Sequence, residues 1–275
     1  MQKRIIVLLF FVYLISYIKA ATVDTVSVYS SSMKKKITTV VVLPDSYNET
    51  NNIPAVYLLH GYGDNYSTWL KEVPHIKELA DLYNFIIIMP DGAKSWYWDS
   101  PVDSKIRYET FISSELVNYI DKNYKTIKNR KGRAITGNSM GGQGALFIAF
   151  RHQDTFSTAG SLSGGVDIRP FPSNWSMADN LGAFNKYPER WNSFAVINQL
   201  WRLVPGNLNI IIDCGKQDFF HQVNINLHNK LSERNIPHVF IENNGQHTWE
   251  YWNEEIDFQL LFFYNHFEYK TAINQ

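Results

Sequence analysis

One serine, one histidine and one of two aspartates, far apart in this chain, could together carry out nucleophilic chemistry. Ser139 lies in "TGNSMGGQGAL" (136–146), between glycines and just after a short apolar run. Gly137-Asn138-Ser139-Met140-Gly141 matches G-x-S-x-G. Glycines two residues either side let the backbone turn sharply from strand to helix, so that the serine Oγ stands exposed. A helix starting behind the serine directs its N–H groups and positive dipole end at the site. The same string would also suit a plain helix-initiating turn, so the partners must decide.

Serine is a weak nucleophile until a general base takes its proton. On such a strand–turn–helix the acid and then the histidine follow the serine in chain order. His238 lies inside a strand-like run and His266 in the terminal helical pattern, which suits structural roles. His247 lies in "NNGQHTWEYW", a polar loop between the last strand and the last helix, where a base is expected. The acid must orient the imidazole and stabilise its cation. "IIIDCGKQDFF" offers Asp213, which ends a strand, and Asp218 in the loop beyond it. The loop position favours Asp218, leaving Asp213 as a brace. Glu250 and Glu254 follow the histidine and fit the order badly. An oxyanion needs two backbone donors. One is the N–H after the nucleophile, Met140; the other comes from the loop after an earlier strand. "LLHGYGDN" (58–65) supplies Tyr62 as first choice and Gly61 as second. Loss of one such donor costs about 2.7–4 kcal/mol of transition-state stabilisation.

These residues need elements that hold them at strand ends. "TVDTVSVYS" and "KKITTVVVLP" read as an antiparallel opening pair. Apolar runs at 53–61, 85–92, 133–137, 156–164, 208–215 and 238–245 read as buried strands. Helical patterns fall between and after them at 75–84, 109–124, 141–153, 224–235 and 249–267. The alternation predicts an α/β fold, a mostly parallel central sheet with helices on both faces. Ligands in such sheets sit beyond the carboxyl ends of the strands. Residues 166–207 break the rhythm and are rich in Pro, Asn and Trp, which reads as an insertion serving as a lid or binding wall. The expected organisation is a single domain over 21–275.

Composition narrows the partners. The 275 residues carry 26 basic and 26 acidic side chains without a basic stripe, which argues against nucleic acid. No HExxH or other close-spaced ligand pattern occurs among the eight histidines, so neither metal nor other cofactor is expected. Cys214, the one cysteine, follows an apolar run and reads as a core residue. Residues 1–20 combine a basic start, the run "IIVLLFFVYLISYI" and small residues at "KAA". That is the pattern of a secretory signal peptide cleaved after Ala20, and the run is short for a membrane span. A secreted or periplasmic protein is expected, with no stable membrane span after cleavage.

Four blocks in order, "LLHGYGDN", "GNSMGGQGAL", "DCGKQDFF" and "GQHTWEYW", resemble the esterase D-like branch of the α/β-hydrolases. "SWYWDSP" and "YETFISSEL" are similar to its bacterial members. The branch includes S-formylglutathione hydrolases, short-chain (tributyrin-type) esterases, feruloyl and acetyl-xylan esterases, and mycolyltransferases. The resemblance runs through most of residues 25–268. It implies the α/β-hydrolase fold, with Ser139 as nucleophile, Asp218 as acid, His247 as base, and Tyr62 and Met140 at the oxyanion. It implies a small-molecule or polysaccharide ester as substrate. A signal segment fits esters of plant polysaccharide better than a cytosolic thioester. Trp96 and Trp98, just after a strand end, and Trp175, in the insertion, are the aromatic candidates for stacking on such a substrate.

Overall fold

The computed structural model describes residues 20–267. Eight strands form one sheet in the order β1-β2-β4-β3-β5-β6-β7-β8. They are β1 (Thr22–Ser30), β2 (Lys35–Leu43), β3 (Ala55–Leu59), β4 (Ile86–Pro90), β5 (Arg133–Gly137), β6 (Thr158–Leu162), β7 (Asn209–Asp213) and β8 (Val239–Ile241). β1 and β2 pair antiparallel, and β2 joins β4 antiparallel. The pairings from β4 through β8 are all parallel. The helices are α1 (Thr68–Glu72), α2 (Ile76–Tyr83), α3 (Tyr108–Thr110), α4 (Val117–Asn123), α5 (Met140–Arg151), α6 (Met177–Leu181), α7 (Pro188–Phe194), α8 (His221–Glu233) and α9 (Trp249–His266). The expected mostly parallel sheet with an antiparallel opening is the one observed. The expected signal segment lies outside the described residues except for Ala20.

The continuous apolar runs are explained by burial on both faces. Along β3, Tyr57 and Leu59 enter one core while Val56 and Leu58 enter the other. β4 repeats the division, with Ile86 and Ile88 against Ile87 and Met89. The two-residue period of a strand sends neighbours to opposite faces, so a strand covered on both sides has no polar positions. Helix α5 and the insertion cover the first face, through Phe147, Phe150, Trp191 and Val196. Helices α1, α2 and α9 cover the second, through Trp69, Leu79, Ile256 and Leu260.

The helix expected over 109–124 is interrupted. Between α3 and α4, residues Phe111–Leu116 form a π-helical turn. The Ser113 hydroxyl donates to the Glu109 carbonyl at 2.7 Å, taking the acceptor that an α-helical N–H would use. The insertion holds α6 and α7, and two short 3-10 turns follow at Val196–Asn198 and Leu200–Arg202.

After β3 the chain goes to β4 on one side of it and then to β5 on the other. The strand order therefore diverges at β3, and the loops leaving β3 and β5 open a crevice between them. That is where open α/β sheets bind ligands.

Candidate active site

β5 ends at Gly137 and α5 starts at Met140, so Ser139 must turn the chain within two residues. It does so at φ 55°, ψ −115°, a region that a side-chain-bearing residue rarely occupies. Neighbouring strand ends hold it there. The Ser139 N–H donates to the Leu162 carbonyl at 2.8 Å, and the Asn138 N–H to the Leu59 carbonyl at 3.3 Å. That same Leu59 carbonyl explains both flanking glycines, since a Cβ at Gly137 or at Gly141 would collide with it.

His247 and Asp218 come from two loops that are bonded to each other. The Lys216 N–H donates to the Asn243 carbonyl and the Gln217 N–H to the Gly245 carbonyl, each at 2.9 Å. The Gly245 N–H returns a bond to the Gln217 side-chain oxygen at 2.7 Å. The pairing sets His247 Nδ1 2.8 Å from Asp218 Oδ2 and His247 Nε2 2.8 Å from Ser139 Oγ. A carboxylate only accepts, so Nδ1–H donates to Asp218, which leaves Nε2 to accept the serine proton. The other Asp218 oxygen accepts the Phe220 N–H at 2.7 Å. The Asp218 side chain is fully buried and that of His247 is 14% exposed.

Asp213 does not reach the histidine. It accepts the Tyr251 hydroxyl at 2.6 Å behind the paired loops. Burial, reinforced by neighbouring Glu255, pushes its pKa up to about 9. Asp213 Oδ2 and Glu255 Oε2 have no other partner, and a proton on Asp213 can donate to Glu255. Glu255 Oε1 accepts from the Asn243 amide at 2.8 Å, and the Tyr251 ring fills the space beside Gly245. Asp213 thus braces the two loops from beneath. His238 and His266 lie away from the site, bonded to His228 and to the Phe262 carbonyl.

The loop after β3 is set by His60, which is 1% exposed. Its Nε2 accepts the Gly92 N–H at 2.7 Å, so its proton is on Nδ1 and donates to the Gly61 carbonyl at 2.8 Å. This fixes the peptide that carries the Tyr62 N–H, which donates to no carbonyl among the described residues. The Met140 N–H opens α5 and has no intrahelical acceptor.

A cleft of about 340 Å³ lies over Ser139, and Gly61, Tyr62, His247, Trp175 and Phe219 are in its wall. The insertion enters it as a wall: the Tyr62 hydroxyl donates to Ser176 Oγ at 3.0 Å. Trp96 and Trp98, expected in the cleft, are not in its lining. They are 1% and 0% exposed and stack on each other at 5.5 Å. Indole rings this large, turned inward, contribute to the core, and Trp96 supports the wall by donating Nε1–H to the Trp175 carbonyl at 3.1 Å. Sequence reasoning missed Asp64, Phe219, Trp249 and Trp252, which do line the cleft. Each lies inside a block read for another residue, beside Tyr62, Asp218 or His247.

A mostly parallel eight-stranded sheet, with a serine on a strained strand-to-helix turn at its carboxyl edge, defines the α/β-hydrolase class. The family described as Putative esterase matches residues 30–263. An acetyl esterase of Caldicellulosiruptor saccharolyticus is 27% identical over 253 residues, 84% of this chain and 94% of that protein. The diacylglycerol acyltransferase/mycolyltransferase Ag85B of Mycobacterium leprae is 28% identical over 259 residues, 76% of this chain and 75% of that one. A solved ferulic acid esterase superposes with a TM-score of 0.77 at 27% identity, covering 90% of this chain and 98% of the other. The chain belongs to the Putative esterase family and is a carboxylic ester hydrolase.

Proposed function

We propose that the chain is an exported serine esterase acting through Ser139, His247 and Asp218. Its substrates would be feruloyl or acetyl esters of plant polysaccharide, or other short-chain acyl esters. The observation that carries the catalytic assignment is the unbroken run of hydrogen bonds from Asp218 through His247 to Ser139, beneath an aromatic-walled cleft. His247 takes the Ser139 proton as Oγ attacks the ester carbonyl. The carbonyl electrons move onto oxygen, which faces the Tyr62 and Met140 N–H groups. Collapse expels the alcohol, protonated by His247, and leaves an acyl-serine. Water, deprotonated by His247, repeats the attack and frees the acid.

Substrate class rests on the relatives, one an acetyl esterase and one a ferulic acid esterase. Export rests on the pattern of residues 1–20. Purified protein should hydrolyse p-nitrophenyl acetate, methyl ferulate or acetylated xylan. Ser139→Ala should lower kcat by at least about 10⁴-fold. Undiminished hydrolysis by that variant would refute the assignment. The similarity to Ag85B favours a second reading, acyl transfer to a sugar or lipid hydroxyl in place of water. Product analysis with added acceptor alcohols separates the two.

A further inference from the structure

The cleft has two chemically different halves. On one side Trp175 stacks on Phe219 at 5.5 Å and touches Phe220 at 5.2 Å and Phe171 at 5.7 Å. Around Trp175 that half presents aromatic rings. On the other side Trp252 meets His247 edge-on at 4.8 Å and Trp249 at 5.2 Å. Trp249 in turn packs on Trp69 of α1, at the end of the loop that carries Asp64. Asp64 lines the same cleft, with its carboxyl beside Gly61.

Asp64 has a local role: its own N–H closes a turn onto the Gly61 carbonyl at 3.3 Å. The Gly61 backbone also hydrogen-bonds its carboxyl, and a carboxylate has further acceptor sites to spare. The carboxyl is partly buried, and burial holds it above the usual carboxylate range. It has no ion-pair partner among the described residues, and the nearby His60 is neutral by its hydrogen bonds. A partly desolvated carboxyl of this kind is stabilised by neutral donors. We propose that Asp64, Trp249 and Trp252 form a subsite for a hydroxyl-rich alcohol, the sugar side of the ester. The proposal rests on the esterase reading and deepens it. Vicinal hydroxyls donate to the two Asp64 oxygens, and the apolar face of the sugar ring lies on indole. His247 lies between the two halves, 4.8 Å from the Trp252 ring and 4.2 Å from that of Phe219, so an alcohol oxygen in this subsite is within reach of its proton. The acyl group then occupies the aromatic half. A cationic alcohol is the competing ligand.

Esters sharing one acyl group test this. For the full chain, kcat/KM on acetylated xylobiose relative to ethyl acetate should fall about tenfold in Asp64→Ala, through KM. Asp64→Asn, which keeps an acceptor and loses the charge, should retain most of the preference. An unchanged ratio in Asp64→Ala overturns the subsite. So does a preference for acetylcholine that both substitutions abolish while the sugar ratio stays put. Xylobiose binding to the Ser139→Ala protein, read by calorimetry, tests the subsite without turnover. There Kd should rise about tenfold on adding Asp64→Ala, and an unchanged Kd is again fatal. If the parent protein hydrolyses no ester, the esterase reading fails while this binding result stands on its own.

Discussion

Ser139 is held in a conformation that its side chain makes costly. A non-glycine residue at such φ and ψ carries about 1–3 kcal/mol of strain. The strain lifts Oγ out of the strand end and toward His247 Nε2. Ser139→Gly should therefore remove activity and still stabilise the fold. The relief exceeds the loss from greater chain entropy, about 0.5–1 kcal/mol. Urea denaturation should show a net gain of about 1 kcal/mol, and a net loss would mean that the turn is not strained. Asp213 and Asp218 make a second residue-scale point. They are five positions apart, yet one bonds the imidazole and the other, at the end of β7, is a buried carboxyl whose pKa Glu255 helps to raise.

At the scale of elements, the loops after β3, β7 and β8 and the insertion shape the cleft. Trp175 and Trp96 look alike in sequence and differ in duty. Trp175 lines the cleft, whereas Trp96 is buried beneath it and holds its backbone. Trp175→Ala should raise KM for aromatic acyl esters with a small effect on stability. Trp96→Ala should destabilise by about 3–5 kcal/mol, the usual loss for a buried indole. Paired kinetics and denaturation of the two variants read this. Equal stability losses would contradict the division.

For the whole molecule, the buried Asp213–Glu255 pair couples the fold to pH. The folded-state pKa of Asp213, about 9, lies far above its ordinary value of 3.8. The native state therefore binds the proton more tightly than the unfolded chain does. The stability this contributes is complete below about pH 4 and is lost as pH rises through about 9. Tyr251 and Cys214 face the pair and, both raised by burial, stay neutral across that window. Glu255→Gln replaces the like charge with an amide that can donate to Asp213. Between about pH 6 and 9, Tm should then fall less than in the parent protein. Parallel Tm curves for the two proteins would remove the pair as the cause.

Much of this was legible in the chain. The β-branched runs and their alternation with helices determined the parallel sheet, because a strand covered on both faces leaves only apolar positions. Gly137 and Gly141 marked the turn at Ser139, since a local turn is written in local residues. The order of serine, acid and histidine along the chain placed each at a strand end. Tertiary structure alone decided which aromatic rings face the cleft. Trp96, Trp98, Trp175, Trp249 and Trp252 are equally apolar, and only packing sorts buried rings from lining ones. The π turn at Phe111–Leu116 was hidden because it leaves the apolar spacing of the run unchanged. Asp64 shares its cleft with residues far away in sequence, Trp249 and Trp252, at the edge of a sheet whose strand order the sequence does not spell out.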